Sequence, residues 1–325
     1  MAHKILVTGS AGFIGFHVAK ALMEQGHSVV GVDNLNDYYD VNLKLARLEI
    51  LNVNKEFEFH KLDITDQAAM NDIWSPDVSH VVHLAAQAGV RHSLDKPFDY
   101  IHSNIQGHLV MLELCRHKCI EHFVYASSSS VYGTNTKLPF SVSDITDSPA
   151  SLYGATKKAD ELMTTSYCHL YGLPATGLRF FTVYGPWGRP DMAPILFADA
   201  ITQGKPINVF NHGDMKRDFT YIDDIVSGIL NVLKLKRTQG DHKVYNLGNH
   251  KSEALLRFIE LMEKEFNCVC NKTLLPLQDG DVKETYADIK ESIRDFEFDP
   301  KTSIDEGIPL FVDWYKHYNR NKVSG

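Results

Sequence analysis

Tyr153 and Lys157 stand four residues apart in Tyr153-Gly154-Ala155-Thr156-Lys157, so a helix through them sets a phenol and an ammonium on one face. A free phenol titrates near 10, too high for a proton acceptor that works near neutrality. A fixed cation beside it favours the phenolate. Upstream, Ala126 leads into Ser127-Ser128-Ser129-Ser130 at the end of an apolar run. A serine hydroxyl there can relay a proton between the phenol and a substrate oxygen. Tyr-x-x-x-Lys also arises on ordinary exposed helix faces, so its meaning depends on its surroundings.

The surroundings begin with Val7-Thr8-Gly9-Ser10-Ala11-Gly12-Phe13-Ile14-Gly15. Three glycines at spacing three follow a β-branched run and open a helical one. Such glycines permit a tight turn and a close approach to a pyrophosphate, while the helix N-terminus supplies oriented N–H donors. A plain tight turn is the alternative. Asp33 closes the next apolar run, where a carboxylate can accept from both ribose hydroxyls; the same charge repels a 2′-phosphate, favouring NAD over NADP. Gly9, Gly12, Phe13, Ile14, Gly15, Asp33 and Asn34 are thus the expected cofactor contacts. Asp63 and Ile64 end a third run and can reach an adenine edge, although Asp63 also suits a helix cap. Leu84, Ala85 and Ala86 end a fourth with side chains small enough for a cofactor to lie against. A bound nicotinamide would add a second positive charge beside Tyr153.

These residues need a scaffold of alternating elements. Lys4–Thr8, Ser28–Asp33, Glu56–Leu62, His80–Leu84, His122–Ala126 and Ala175–Phe181 read as strands, and Phe13–Gln25 and Tyr100–His117 as amphipathic helices. Strict alternation predicts an α/β fold, a doubly wound (Rossmann) parallel sheet with helices on both faces. After Thr182, Pro186, Gly188, Pro190 and Pro194 break the rhythm and an irregular stretch runs to about Thr220. Tyr221–Lys236 then reads as a helix and Lys243–Leu247 as a strand able to rejoin the sheet. Leu255–Phe266 and Ser303–Tyr318 read as further helices. The expected division is an NAD-binding domain of residues 1–181 plus about 221–248, and a smaller mixed α/β substrate lobe of about 182–220 plus 249–325, with ligand between them.

The 325 residues are 44% hydrophobic and 23% charged, an ordinary globular balance that excludes disorder. A net charge of −8 argues against a nucleic-acid partner. No apolar run is long enough for a membrane span or a signal peptide. Five cysteines without framework spacing suit a reducing cytoplasm, and neither Cys115/Cys119 nor Cys268/Cys270 has the second ligand pair a zinc site requires, so no metal is expected.

Together these motifs resemble the extended short-chain dehydrogenases/reductases, and within them the sugar-nucleotide epimerases. The resemblance runs over essentially the whole chain. It narrows toward the UDP-glucuronate 4-epimerases in Asp33-Asn34-Leu35-Asn36-Asp37-Tyr38-Tyr39-Asp40, then Leu43-Lys44 and Arg47-Leu48, and in Ala86-Gln87-Ala88-Gly89-Val90-Arg91. Thr176–Met192, with Trp187-Gly188-Arg189-Pro190, and Met215–Asp224 carry it further. It implies an NAD cofactor retained and regenerated within each turnover, a UDP-sugar substrate and a homodimer. The dimer helices would be those of Tyr153–Tyr171 and about Tyr100–Lys118, with Leu162, Met163, Tyr167 and Leu170 forming an apolar stripe.

The resemblance also implies roles. Tyr153 would be the acid/base, Lys157 its partner and a ribose contact, and Ser128 the relay, with Ser127 the second choice of register. Thr182 stands where many relatives have asparagine and, with Arg189, would hold a sugar carboxylate. Arg217 would meet the diphosphate, and Gln87, Arg91 and Gln278 complete the expected substrate contacts. Plain ion pairs are the alternatives for Arg91, Arg189 and Arg217. Rival functions are a 4-epimerase of UDP-glucose or UDP-N-acetylhexosamines and, from another class, an inactive NAD-binding sensor or scaffold. Lys283 replaces the usual proline after Gly280-Asp281-Val282 and leaves that loop's shape open.

Overall fold

Seven parallel strands carry the candidate site on their carboxyl ends. They are β1 (Lys4–Thr8), β2 (Ser28–Asp33), β3 (Phe57–Lys61), β4 (Val78–His83), β5 (His122–Ser128), β6 (Ala175–Phe180) and β7 (His242–Leu247). The computed structural model describes residues 2–278 and 280–323; Met1, Ser324 and Gly325, at the outer ends of the two expected lobes, and Asp279 lie outside the described residues. The strand order is β3-β2-β1-β4-β5-β6-β7, every pair parallel. The doubly wound sheet is therefore as expected, and β7 rejoins it beside β6. Order reverses between β1 and β4, which opens a crevice at the carboxyl ends.

The two-residue period of the strands divides the core. Ile5 and Val7 join the apolar cluster on one face, with Phe16, Leu22 and Val29, while Leu6 joins the other with Val30, Val81 and Met111. All six residues of β6 are buried. Helices α1 (Phe13–Glu24), α2 (Val41–Asn52), α3 (Gly107–Lys118) and α4 (Leu152–Tyr171) supply the crossovers. Ser151 caps α4 by accepting from the Gly154 N–H, and Gly172 ends it in the left-handed region at φ +71°.

Two expectations need correction. The helix expected over Tyr100–His117 is interrupted: a π-helical turn spans Ile101–Gln106 before α3 begins. Buried Asn104 sits in that turn, accepting from Gln87 N and donating to Gln87 O and Thr156 Oγ1, so wider winding places one amide on two neighbours. The stretch read as irregular contains α5 (Ala193–Thr202), whose first turn holds Pro194. Proline breaks a helix interior but is tolerated there, where its missing N–H has no partner to lose.

Beyond β6 the chain makes short two-stranded ladders. Phe219–Tyr221 pairs parallel with Thr182–Tyr184, and Ile207–Val209 parallel with Lys272–Leu274. Lys216–Arg217 pairs antiparallel with Glu253–Ala254. Helices α6 (Ile222–Leu233), α7 (Leu255–Phe266) and α8 (Ile304–Val323) complete this part. Among the described residues, no helix is long and apolar enough to cross a membrane.

Candidate active site

A cleft of about 930 Å³ lies over the carboxyl ends of the strands. Its floor is the glycine loop between β1 and α1. Gly9 has φ +72°, and a β-carbon there would fall 2.8 Å from Ala85 N; one on Gly15 would fall 2.0 Å from Gly9 O. Only hydrogen fits at either position, and the loop thereby leaves backbone exposed to the cleft. Asp33, at the end of β2, accepts from Ala11 N at 3.2 Å and Leu35 N at 2.9 Å. Burial pushes its carboxyl upward, opposed by the Lys44 charge and these hydrogen bonds. Asp63 accepts from Thr65 and from the Asn34 amide; although burial acts the other way, these bonds hold its carboxyl below the usual range. Phe13, Ile14, Asn34, Ile64, Leu84, Ala85 and Ala86 line the same cleft. A backbone cradle that a β-carbon would fill, beside an acidic acceptor, fits an adenine dinucleotide.

Tyr153, Lys157 and Ser128 face this cleft from α4 and the end of β5. Gly154 permits the approach: a β-carbon there would fall 2.5 Å from Ser130 O. Lys157 is buried and donates to Ala126 O at 3.0 Å and to Asp160 Oδ2 at 3.2 Å. The neighbouring serines are unlike. Ser127 Oγ donates to Glu161 Oε1 at 2.6 Å, and Glu161 also accepts from Nε and Nη2 of buried Arg179, one edge of its guanidinium. Ser128 Oγ donates to Ser130 Oγ at 3.2 Å and caps the turn of Ser129–Tyr132.

Gln87, Arg91, Thr182, Arg189 and Arg217 also line the cleft. Arg189 does not offer a free fork: its Nε and Nη2 both donate to the Asp191 carboxylate. The ion pair left open from the sequence is therefore present. Arg91 lies 3.4 Å from Asp281 and stacks its guanidinium 4.8 Å from the Phe210 ring centre. Arg217 donates to Lys216 O and Lys283 O; burial and the nearby Arg91 charge lower its affinity for its proton, against Asp281. Gln278 has a half-buried side chain whose oxygen has no hydrogen-bond partner, and its backbone carbonyl accepts from Asp281 N. Lys283 pairs at the surface with Asp214.

Several residues in and beside the cleft had no role assigned from the sequence. Arg47, fully buried, donates to Ala11 O, Tyr39 Oη, Trp187 O and Gly188 O, tying α2 to the glycine loop and to the Trp187–Gly188 segment. Lys44 binds Asn36 twice and lies over the Tyr39 ring. Tyr38 Oη donates to Asp191 Oδ2 at 3.0 Å. A signal existed, since these residues fall within the Asp33–Asp40 block and the helix after it, but Arg47 and Tyr38 also find partners 140 to 153 residues away. At the amino ends of the central strands, away from the cleft, His3, His80 and Glu121 bring ligand-type atoms within 4.8 Å of one another, and Ser79 Oγ bridges the two imidazole Nδ1 atoms.

Residues 5–248 match the NAD dependent epimerase/dehydratase family. A probable UDP-glucuronate 4-epimerase of Rhizobium meliloti is 44% identical, the match covering 98% of each chain. UDP-glucuronate 4-epimerase 2 of Arabidopsis thaliana is 46% identical, covering 97% of this chain and 76% of that one. The crystal structure of UDP-glucuronic acid 4-epimerase from Bacillus cereus, in complex with UDP-glucuronic acid and NAD, superposes with a TM-score of 0.90 at 35% identity over 97% of this chain and 99% of that one. With the family matched over most of the chain and the glycine loop, Asp33, Tyr153 and Lys157 facing one cleft, this chain belongs to the NAD-dependent epimerase/dehydratase family.

Proposed function

We propose that this enzyme interconverts UDP-glucuronate and UDP-galacturonate by inverting C4 of the sugar. The observation that carries the reading is the convergence of Tyr153, Lys157 and Ser128 with Thr182 and Arg189 on one cleft floored by the glycine loop. The names of the relatives above point the same way. Gly9, Gly12, Phe13, Ile14, Gly15, Asp33, Asn34, Asp63, Ile64, Leu84, Ala85 and Ala86 would hold NAD, with Tyr153 and Lys157 at its nicotinamide end. When bound, NAD takes the hydrogen of C4 and returns it to the opposite face of the sugar.

Tyr153 accepts the proton of the 4′-hydroxyl, directly or through Ser128, and gives it back when the ketone is reduced. Lys157 supports the phenolate by its charge. Arg217, with Arg91 beside it, meets the diphosphate, and Gln87 lies near the sugar. Thr182 and Arg189 hold the sugar carboxylate. That grip matters because the 4-keto uronate is a β-keto acid, which loses CO₂ when the breaking bond stands perpendicular to the carbonyl plane. Residues 1–181 plus about 221–248 form the NAD-binding lobe, and about 182–220 plus 249–325 the substrate lobe.

We further assign a cytoplasmic homodimer. The five described cysteines are all free. On α4, Leu162 and Leu170 are exposed whereas Met163 and Tyr167 pack inward, so the exposed pair supports a helix-to-helix contact. Incubation of the pure protein with UDP-glucuronate, UDP-glucose and UDP-N-acetylglucosamine, with products assigned by NMR, tests the function. Conversion of a neutral sugar but not of UDP-glucuronate would replace this reading with its rival. Light scattering on the same sample tests the dimer.

A further inference from the structure

The arginine assigned to the substrate carboxylate already has a carboxylate partner inside the cleft. Arg189 binds Asp191 side-on, Nε to Oδ1 at 3.0 Å and Nη2 to Oδ2. This leaves Nη1 and the second Nη2 hydrogen, the end-on edge of the fork, without a bond to Asp191. Tyr38 Oη donates to the same Asp191 Oδ2 at 3.0 Å. Tyr38, Arg189 and Asp191 all line the cleft that Tyr153 lines, so the cluster shares the space of the reacting centre. The backbone preceding Arg189 is anchored, because Arg47 grips Trp187 O and Gly188 O. Exchange of partners at Arg189 therefore needs side-chain movement alone.

Resting on the uronate reading above, we propose that Asp191 is an internal competitor for Arg189, a built-in carboxylate that trades places or shares the fork with the sugar carboxylate. Tyr38, from the loop after Asp33, sets how strongly Asp191 competes. Epimerisation gives the competition a purpose. The keto sugar must present its other face midway through turnover, so a carboxylate locked onto an unopposed guanidinium would oppose that turn. An arginine with a second partner can loosen without leaving an unpaired buried charge. Asp191 suits the part because it stays ionised: burial works against this, but the Arg189 charge and the Arg189 and Tyr38 hydrogen bonds hold its carboxyl below the usual range.

Asp191→Asn and Tyr38→Phe, each purified and assayed with UDP-glucuronate and tested for binding of UDP-glucose and UDP by calorimetry, decide the matter. Asp191→Asn leaves Arg189 unopposed, so KM for UDP-glucuronate should fall about tenfold, the scale of one charged hydrogen bond, while kcat falls as well. Binding of UDP-glucose and of UDP should stay as in the wild type. Tyr38→Phe removes a donor that shares Asp191, so Asp191 holds Arg189 harder and KM for UDP-glucuronate should rise about threefold. Because it deletes only one hydroxyl, this variant reports even if Asp191→Asn fails to fold. A KM for Asp191→Asn that is unchanged or raised, a Tyr38→Phe effect of the opposite sign, or equal changes for UDP-glucose would overturn the proposal while leaving the uronate reading in place. A wild-type protein inert toward UDP-glucuronate would overturn both.

Discussion

Lys157 donates from Nζ to the Asp160 carboxylate at 3.2 Å, one turn further along α4, and both side chains are almost wholly buried. The second Asp160 oxygen has no hydrogen-bond partner. Burial pushes this carboxyl upward and the lysine charge opposes it. His83 and His108 face the pair from β4 and α3, and burial holds both imidazoles neutral, with Lys157 adding to the effect. With its carboxyl raised to about 7, Asp160 becomes a negative neighbour of the cation expected to support Tyr153 only as pH rises through neutrality. Asp160→Asn removes a charge that disfavours the phenolate, so the acid limb of the kcat profile should move to lower pH by about half a unit to one unit. A pH-rate series on the two proteins checks this; an unmoved limb would separate Asp160 from the proton chemistry.

Tyr153→Phe should abolish turnover while retaining NAD, because only the acid/base oxygen is lost. Rates by NMR and bound NAD by absorbance after denaturation check both halves. More than a few percent of the wild-type rate would sink the assignment.

The two neighbouring serines should separate cleanly. Ser128→Ala should cost mainly rate, about a hundredfold if the relay is obligatory. Ser127→Ala removes a donor from the buried Glu161–Arg179 pair, so it should cost about 1–2 kcal/mol of stability with kcat nearly kept. Urea titrations beside kinetics distinguish them, and the reverse pattern would move the relay to Ser127.

Asp33 should decide cofactor choice. Asp33→Ser combined with Asn34→Arg should weaken NAD at least about tenfold and admit NADP. Fluorescence titration with each cofactor measures it, and native protein that purifies with NADP would contradict the role. Because Asp33 also fixes Ala11 N, some thermal stability should be lost as well.

Asp218 should make stability depend on pH in an unusual direction. Burial raises its carboxyl to about 7, only partly offset by hydrogen bonds from Asn249, Ala287 and Thr220. The folded value exceeds the unfolded one, so between about 4 and 7 the folded chain binds more protons. The Asp218 contribution is complete below about 4 and is lost as pH rises through 7. Thermal melts from pH 5 to 7.5 should show Asp218→Asn starting lower but falling less steeply than wild type. Equal slopes would show that another group dominates.

The sheet and the glycine loop were legible because their signals are local: alternation of β-branched runs with helical periods, glycines where a β-carbon cannot fit, and an acid at a strand end. Tyr153 and Lys157 were legible for the same reason, since i, i+4 spacing fixes a shared face before any tertiary contact forms. What lay beyond reach depended on partners distant in the chain. Four consecutive serines look alike in sequence and all four line the cleft; only the packing of α4 against β5 ties Ser127 to Glu161 and leaves Ser128 bonded to Ser130. Free fork and ion pair stayed open for Arg189 because Asp191 two residues away carries no sign of facing it, and Tyr38 arrives from 153 residues upstream. Arg47 stood among the residues of the resemblance without a role, since a guanidinium on a helix is ordinarily a solvated charge until two loops close over it. Residue type and spacing determined which chemistry the chain can carry. Burial and long-range hydrogen bonding decided which of several equivalent side chains face that chemistry, because each is a property of surfaces that do not exist until the chain has closed on itself.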